Sequence, residues 1–347
     1  MRLMSAAACQ SVRRALYTAA AAVAALTPAV AADHAVAIMY HRFGEDRYPS
    51  TSIRLQQFEA HLQELSTGGY TVLPLSEVMA RIRSRSSLPD RAVVITLDDA
   101  FRSAYAEAWP RLQRAGFPFT LFVATETLDA RGPDYMSWDQ VRELKRAGVE
   151  IAAHTRRHRH MVAASDQENV AEIAHANSRL EAELGEKPRF FAYPYGEWSA
   201  KTRELVIKAG YAAAFGQHSG VIYPDHDLFS LPRFAFSDSY GDMERFRRAV
   251  SALPLPISDL TPADPLLVRN PPAIGFTLAQ TPSGSDRLAC FASHQPGQAR
   301  IERLGARRVE VRIEAPFPPG RGRINCTAPA PEGRWRWFSL QFYVPGS

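Results

Sequence analysis

The chain has three cysteines in 347 residues, and one of them, Cys9, lies close to the N-terminus. Past that terminus, no apolar run approaches the ~20 residues needed to cross a bilayer, so no transmembrane segment is expected. No Gly-x-Gly-x-x-Gly or Walker-type loop occurs, so nucleotide binding is not indicated. No block of Lys and Arg suggests nucleic-acid binding. Residues 1–31 contain no acidic side chain, which argues against an amphipathic surface helix there.

What that N-terminal stretch does contain reads as an export signal. Arg2, Arg13 and Arg14 precede an alanine-rich apolar run from Ala15 to Leu26, and Ala29-Val30-Ala31 supplies a small-x-small cleavage site. A general secretory route is expected, with a periplasmic or extracellular destination. The formal net charge is +5, and removing these three arginines leaves +2. The basic balance therefore belongs mostly to the signal. Cys290 and Cys326 remain, an even pair in an exported chain, and a disulfide between them is expected.

Hydrophobic residues make up 46% and charged residues 22%, enough to build a full core. From residue 35 onward, short β-branched or apolar runs alternate with segments of helical periodicity. Ala35 to His41, Val93 to Asp98, Phe119 to Val123, Val149 to Ala153, Phe190 to Tyr193 and Ala212 to Phe215 read as strands. Gly68, Gly116, Gly148, Gly185 and Gly210 stop the helices between them. Six or seven such βα units predict a parallel sheet, closed as a barrel rather than open. The predicted organisation is a signal at 1–31, an α/β barrel at 32–250, a linker at 251–273 holding six prolines, and a small antiparallel β-domain with one disulfide at 274–347.

The strand Val93-Val94-Ile95-Thr96-Leu97 runs into Asp98-Asp99, at the carboxyl end where α/β barrels place their chemistry. Alone, the pair reads as a helix cap. His154-Thr-Arg-Arg-His158 changes that balance. Histidines at i and i+4 on a helical turn share one face and can bind one ion. Two imidazoles and a carboxylate leave an open coordination position, as a catalytic metal site requires. One carboxylate must hold the metal and the other must stay off it to take a proton. Backbone N–H groups at Tyr195 and Gly196, after Tyr193-Pro194, offer an oxyanion donor.

Thr96-Leu97-Asp98-Asp99-Ala100 resembles the Thr-Phe-Asp-Asp-Gly motif of polysaccharide deacetylases (carbohydrate esterase family 4). His154-Thr-x-x-His158-x-x-Met161 is similar to their His-Ser/Thr-x-x-His-x-x-Leu motif, and Tyr193-Pro194-Tyr195-Gly196 to their Arg-x-Pro-Tyr-Gly region. The likeness covers residues 35–250. Met39-Tyr40-His41 and the Pro49-Ser50-Thr51-Ser52 loop look most like the branch with poly-N-acetylglucosamine deacetylases of biofilm polymers. The resemblance implies a distorted (β/α)7 barrel, followed here by the small β-domain. It implies Asp98 as general base, Asp99, His154 and His158 as ligands of one divalent ion, and the Tyr195 amide in an oxyanion hole. Zinc is the expected ion, with cobalt or nickel as alternatives. The expected substrate is an acetylated polysaccharide of N-acetylglucosamine type. An O-acetyl esterase of xylan-like glycans and a non-catalytic glycan-binding protein are the alternatives.

The sequence departs from the family pattern at four places. Leu97 and Ala100 replace Phe and Gly, and Ala192 stands where an arginine orients the base; Arg189 is nearby but out of register, Arg233 in Leu231-Pro232-Arg233 is a candidate substitute, and the role is left unassigned. The family's late Leu-x-His motif is absent. His218 is the expected general acid and His41 the second candidate. His61, His160, His175, His226 and His294 read as surface residues. Trp138 is read either as a sugar-subsite wall or as core, and Trp335 and Trp337 share one strand face.

Overall fold

A computed structural model describes residues 31–346. The expected signal, apart from Ala31, and Cys9 lie outside the described residues. Eight strands make the first sheet: β1 (Ala35–Tyr40), β2 (Thr71–Val72), β3 (Ala92–Asp98), β4 (Thr120–Val123), β5 (Glu150–Ala153), β6 (Phe190–Ala192), β7 (Ala213–Phe215) and β8 (Phe234–Ala235). Their order is β7-β6-β5-β4-β3-β1-β8, with β2 beside the first half of β3. All pairings are parallel. A further bridge joins Phe215 to Leu231, so the segment 231–235 contacts β7 at one end and β1 at the other. The sheet curls there into the expected distorted (β/α) barrel.

Strand parity decides which side chains enter the barrel. Val93, Ile95 and Leu97 pack with the helix-facing core, together with Phe58 of α1 (Leu55–Thr67) and Leu112. Ala92 and Val94 belong to a second cluster with Phe122, Ala152, Ala192 and Phe215. Asp98 has the parity of Val94 and Thr96, so it points inward with them.

Helix signals act where the sequence places them. Ser137 and Ser165 cap the helices Trp138–Arg146 and Asp166–Leu184, each in a reciprocal capping box. Gly116 and Gly185 end helices at φ 69° and 78°, a region that disfavours a Cβ. The helix expected at 103–115 is π-helical over Ala104–Ala108. Pro110, without an N–H, follows just inside the α-helical part.

Two four-stranded sheets form the C-terminal domain. Its strands are β9 (Leu253–Pro254), β10 (Ile257–Thr261), β11 (Ile274–Leu278), β12 (Ala289–Ala292), β13 (Arg300–Leu304), β14 (Arg308–Arg312), β15 (Gly320–Pro329) and β16 (Trp335–Val344). One sheet runs β9-β16-β15-β12 and the other β10-β11-β14-β13. They enclose a core that includes Phe276, Val309, Val311, Ile324 and Phe342. The stretch 251–273, expected as a linker, therefore carries two strands. Its prolines stand at strand ends and turns, where a missing N–H breaks no ladder. β9 pairs with β16 in parallel, so the domain is not wholly antiparallel. Cys290 and Cys326 face each other across β12 and β15 and are bonded, as the sequence suggests.

The domain packs on the barrel. Trp337 meets the edge of Phe234 at 5.0 Å, and Arg334 donates to Asp90 at 3.0 and 3.2 Å. Trp337 thus serves the interface. Trp138 is core: it is buried, and its indole N–H donates to Asp129 at 2.8 Å.

Candidate active site

β3 delivers Asp98 to the top of the barrel interior, where its side chain is fully buried. A buried lone carboxylate is costly, and here it is paired. Arg233, also fully buried, donates Nη1 and Nη2 to the two Asp98 oxygens at 2.7 and 2.8 Å. The guanidinium is itself held by the Gly216 carbonyl at 3.0 Å and Thr96 Oγ1 at 3.2 Å. Burial pushes the Asp98 carboxyl up, but the Arg233 guanidinium, through its charge and its hydrogen bonds, outweighs this and holds it below the usual carboxylate value.

Asp99 lies past the strand end. It and Ala100 are both left-handed, at φ 73° and 55°. That turn swings Asp99 out to the rim, away from its neighbour. Its Oδ1 stands 3.5 Å from His154 Nε2 and 3.4 Å from His158 Nε2, and the two imidazole nitrogens are 3.1 Å apart.

The two histidines do not sit on a helical turn, as the i, i+4 spacing suggests. Residues 154–158 form a loop in which Thr155 and His158 are left-handed, at φ 63° and 56°. Thr155 Oγ1 accepts the His158 amide at 3.1 Å and closes the loop. His154 Nδ1 donates to the Ala192 carbonyl at 2.7 Å, which leaves its Nε2 lone pair facing the cluster. Burial, aided by His158 at His154 and by His41 at His158, lowers both imidazoles to a pKa of about 4. Both are neutral lone-pair donors at pH 7.

Among the described residues, Asp99, His154 and His158 are the group of side chains that could hold a metal. The donor set fits one. Tetrahedral zinc with bonds of ~2.0–2.1 Å implies donor–donor edges of about 3.3 Å, and the three observed edges are 3.1, 3.4 and 3.5 Å.

The turn Pro194–Gly196 covers one side of the cluster. Tyr195 is left-handed, at φ 59° and ψ 5°. Its ring meets His158 edge-on at 4.4 Å and stacks on His160 at 4.0 Å. The Gly196 N–H is taken by the Tyr193 carbonyl at 2.8 Å. His160 is exposed, as the sequence suggests, and at the rim of the site it donates to the buried Glu197 at 2.6 Å.

His41 and His218 part company. His41 follows β1 directly, and the register Tyr40↔Leu97 sets it beside Asp98. Its charge bears on both Asp98 and His158. His218 is buried elsewhere, in the wall of a cavity of about 340 Å³ shared with Trp198, Tyr223 and β16. Burial, with His226 and Arg233, lowers it to a pKa of about 3. A neutral imidazole is a weak acid at pH 7, and among the described residues His218 makes no hydrogen bond to Asp98, Asp99, His154 or His158; both facts count against the expected acid role. What His218 does supply is its carbonyl, which accepts the Arg233 amide at 2.9 Å. His61 is also no surface residue. It is buried, bonded to Tyr40 Oη and the Gly241 carbonyl at 2.9 Å each, and stacked on Phe246.

Residues 85–214 match the family model described as polysaccharide deacetylase. Two curated relatives are poly-beta-1,6-N-acetyl-D-glucosamine N-deacetylases. The one from Escherichia coli (strain K12) is 24% identical over 247 residues, 59% of this chain and 37% of its own length. The one from Staphylococcus aureus (strain MSSA476) is 23% identical over 199 residues, 54% of this chain and 68% of its own. The chain thus spans well under half of the E. coli relative. Among solved structures, IcaB from Ammonifex degensii shares the fold with a TM-score of 0.56 at 24% identity, covering 64% of this chain and 98% of that one. The Streptococcus pyogenes deacetylase PplD has a TM-score of 0.58 at 21% identity, covering 62% and 98%.

Proposed function

We propose that this chain is an exported, metal-dependent hydrolase that removes acetyl groups from an N-acetylated polysaccharide of N-acetylglucosamine type. One observation carries the reading. Two sequence-adjacent carboxylates have opposite surroundings: Asp98 is clamped on Arg233 in the interior, and Asp99 faces two neutral imidazoles at the rim. The sequence relatives support the polymer, since those cited are poly-N-acetylglucosamine deacetylases. The N-terminal signal pattern and the Cys290–Cys326 bond support export.

Asp99, His154 and His158 would hold one divalent ion, zinc in our reading. When bound, such an ion polarises the acetyl carbonyl and makes a nearby water acidic. The remaining work falls to side chains of this chain. Asp98, ionised and oriented by Arg233, takes a proton from the attacking water. Its low basicity suffices only because that water is made acidic. The Tyr195 N–H donates to the oxygen that gains charge as the carbonyl becomes tetrahedral. His41, rather than His218, returns a proton to the departing sugar nitrogen. Acetate and a free amine result.

The test is acetate release from N-acetylglucosamine oligomers and from acetylxylan, with chelator and with metal returned. Release from the oligomers, lost on chelation and restored by zinc, is the expected result. Asp98→Asn should keep the metal and lose turnover, whereas Asp99→Ala or His158→Ala should lose both. His41→Gln should lower kcat by ~10²-fold or more, while His218→Gln changes it little. Faster release from acetylxylan would assign an esterase. No release from either substrate by metal-loaded protein would leave a glycan-binding protein and sink the proposal.

A further inference from the structure

The Tyr195 turn is braced from outside the barrel. Gln341, on β16 of the C-terminal domain, donates Nε2 to the Tyr195 carbonyl at 2.9 Å. Gln341 is 4% exposed. Its amide cannot turn over freely, because Arg323 on the paired strand β15 donates to Gln341 Oε1 at 3.1 Å. An arginine is only a donor, so the oxygen must face Arg323 and the NH2 must face Tyr195. Two residues earlier on the same strand face, Ser339 donates to the Ser219 carbonyl of the barrel. β16 is thus tied to the barrel at two successive inward positions.

The contact matters because of the conformation it holds. Tyr195 is left-handed at φ 59°, a state disfavoured for any residue with a Cβ. Its N–H and its C=O lie on the two peptide planes that this φ and ψ relate. Fixing the carbonyl therefore fixes where the N–H points. Gly196, next in the turn, packs closely on the segment after β7: a Cβ there would meet the Gln217 backbone nitrogen at 2.4 Å.

We infer that the C-terminal β-domain is part of the catalytic unit, and that Gln341 is a positioning residue that holds the Tyr195 amide toward the developing oxyanion. This rests on the deacetylase reading above. Gln341 touches no reacting atom; it acts through Tyr195.

The test compares wild type, Gln341→Leu and Gln341→Glu as full-length, zinc-loaded proteins. The carboxylate of Gln341→Glu is nearly isosteric with the amide and keeps the Arg323 contact, but it presents an acceptor to the Tyr195 carbonyl. The readouts are kcat and KM for acetate release, zinc content, near-UV circular dichroism, and the Tyr195 amide resonance of ¹⁵N-tyrosine-labelled protein. Both variants should lose on the order of 10- to 100-fold in kcat, below the cost of deleting an oxyanion donor. KM should stay within about threefold, zinc and near-UV signals should be unchanged, and the Tyr195 resonance should move. A kcat within about twofold of wild type overturns the inference. So does a loss of kcat that comes with loss of zinc or of the near-UV signal, since that marks a general structural role. A wild type that releases no acetate defeats the functional reading instead. The Tyr195 resonance then decides the inference alone, an unmoved resonance in Gln341→Glu counting against it.

Discussion

Arg233 and Asp98, 135 residues apart in sequence, form a two-pronged ion pair at 2.7 and 2.8 Å with both side chains wholly out of solvent. The pair orients the carboxylate and keeps it ionised. Removing one partner of such a pair typically costs about 3–5 kcal/mol, because the other charge stays buried and alone. Arg233→Met should therefore unfold at markedly lower urea concentration. Arg233→Lys keeps a charge but cannot make two parallel bonds. It should fold, bind a divalent ion as wild type does, and lose on the order of 10² in kcat, the scale expected of a mispositioned base. Steady-state kinetics with metal analysis checks this; full activity in Arg233→Lys would remove the orienting role.

A second expectation concerns acid. His61 is buried against Phe246 and bonded at both ring nitrogens, and burial lowers its pKa from 6.5 to about 4. The folded state thus binds fewer protons than the unfolded state between those values. Stability from this group is complete above pH 6.5 and declines as pH falls toward 4. Between pH 7.5 and 5.5 the loss should be about 1 kcal/mol. Urea denaturation at the two pH values, in wild type and His61→Gln, measures it. An equal pH slope in the variant would show that His61 does not titrate as its burial implies.

Ala100 stands where the resembling motif has glycine, and it is left-handed at φ 55°. Replacing it with glycine relieves a backbone cost of about 1 kcal/mol. It also removes a fully buried methyl, worth ~0.8 kcal/mol. The two effects oppose each other. Ala100→Gly should leave stability within about 0.5 kcal/mol of wild type and acetate release nearly unchanged. A gain well above that would mean that the methyl fills little of its site.

Periodicity alone carried the alternation of strand and helix, because burial on both faces of a parallel strand leaves an apolar run. The Asp98-Asp99 and His154/His158 motifs were visible for a similar reason: each is local. The loop geometry around them was not. A spacing of four suits a helix, but Thr155 and His158 reach the same convergence through left-handed backbone, a state that spacing does not reveal. The histidines were sorted poorly where burial depends on distant packing. His61 and His218 are enclosed by segments far along the chain, such as Gly241 and β16.

The amino-acid order by itself determined that two carboxylates end one buried strand and that two imidazoles follow another. It also paired Cys290 with Cys326, the two cysteines left outside the signal. Only the tertiary structure decided which cation orients Asp98. Arg233 reaches it because the segment 231–235 closes the barrel between β7 and β1, directly beneath the carboxylate. The proline-rich stretch became two strands for a related reason. β9 and β10 complete sheets whose other members lie downstream, and no local pattern of prolines encodes those partners.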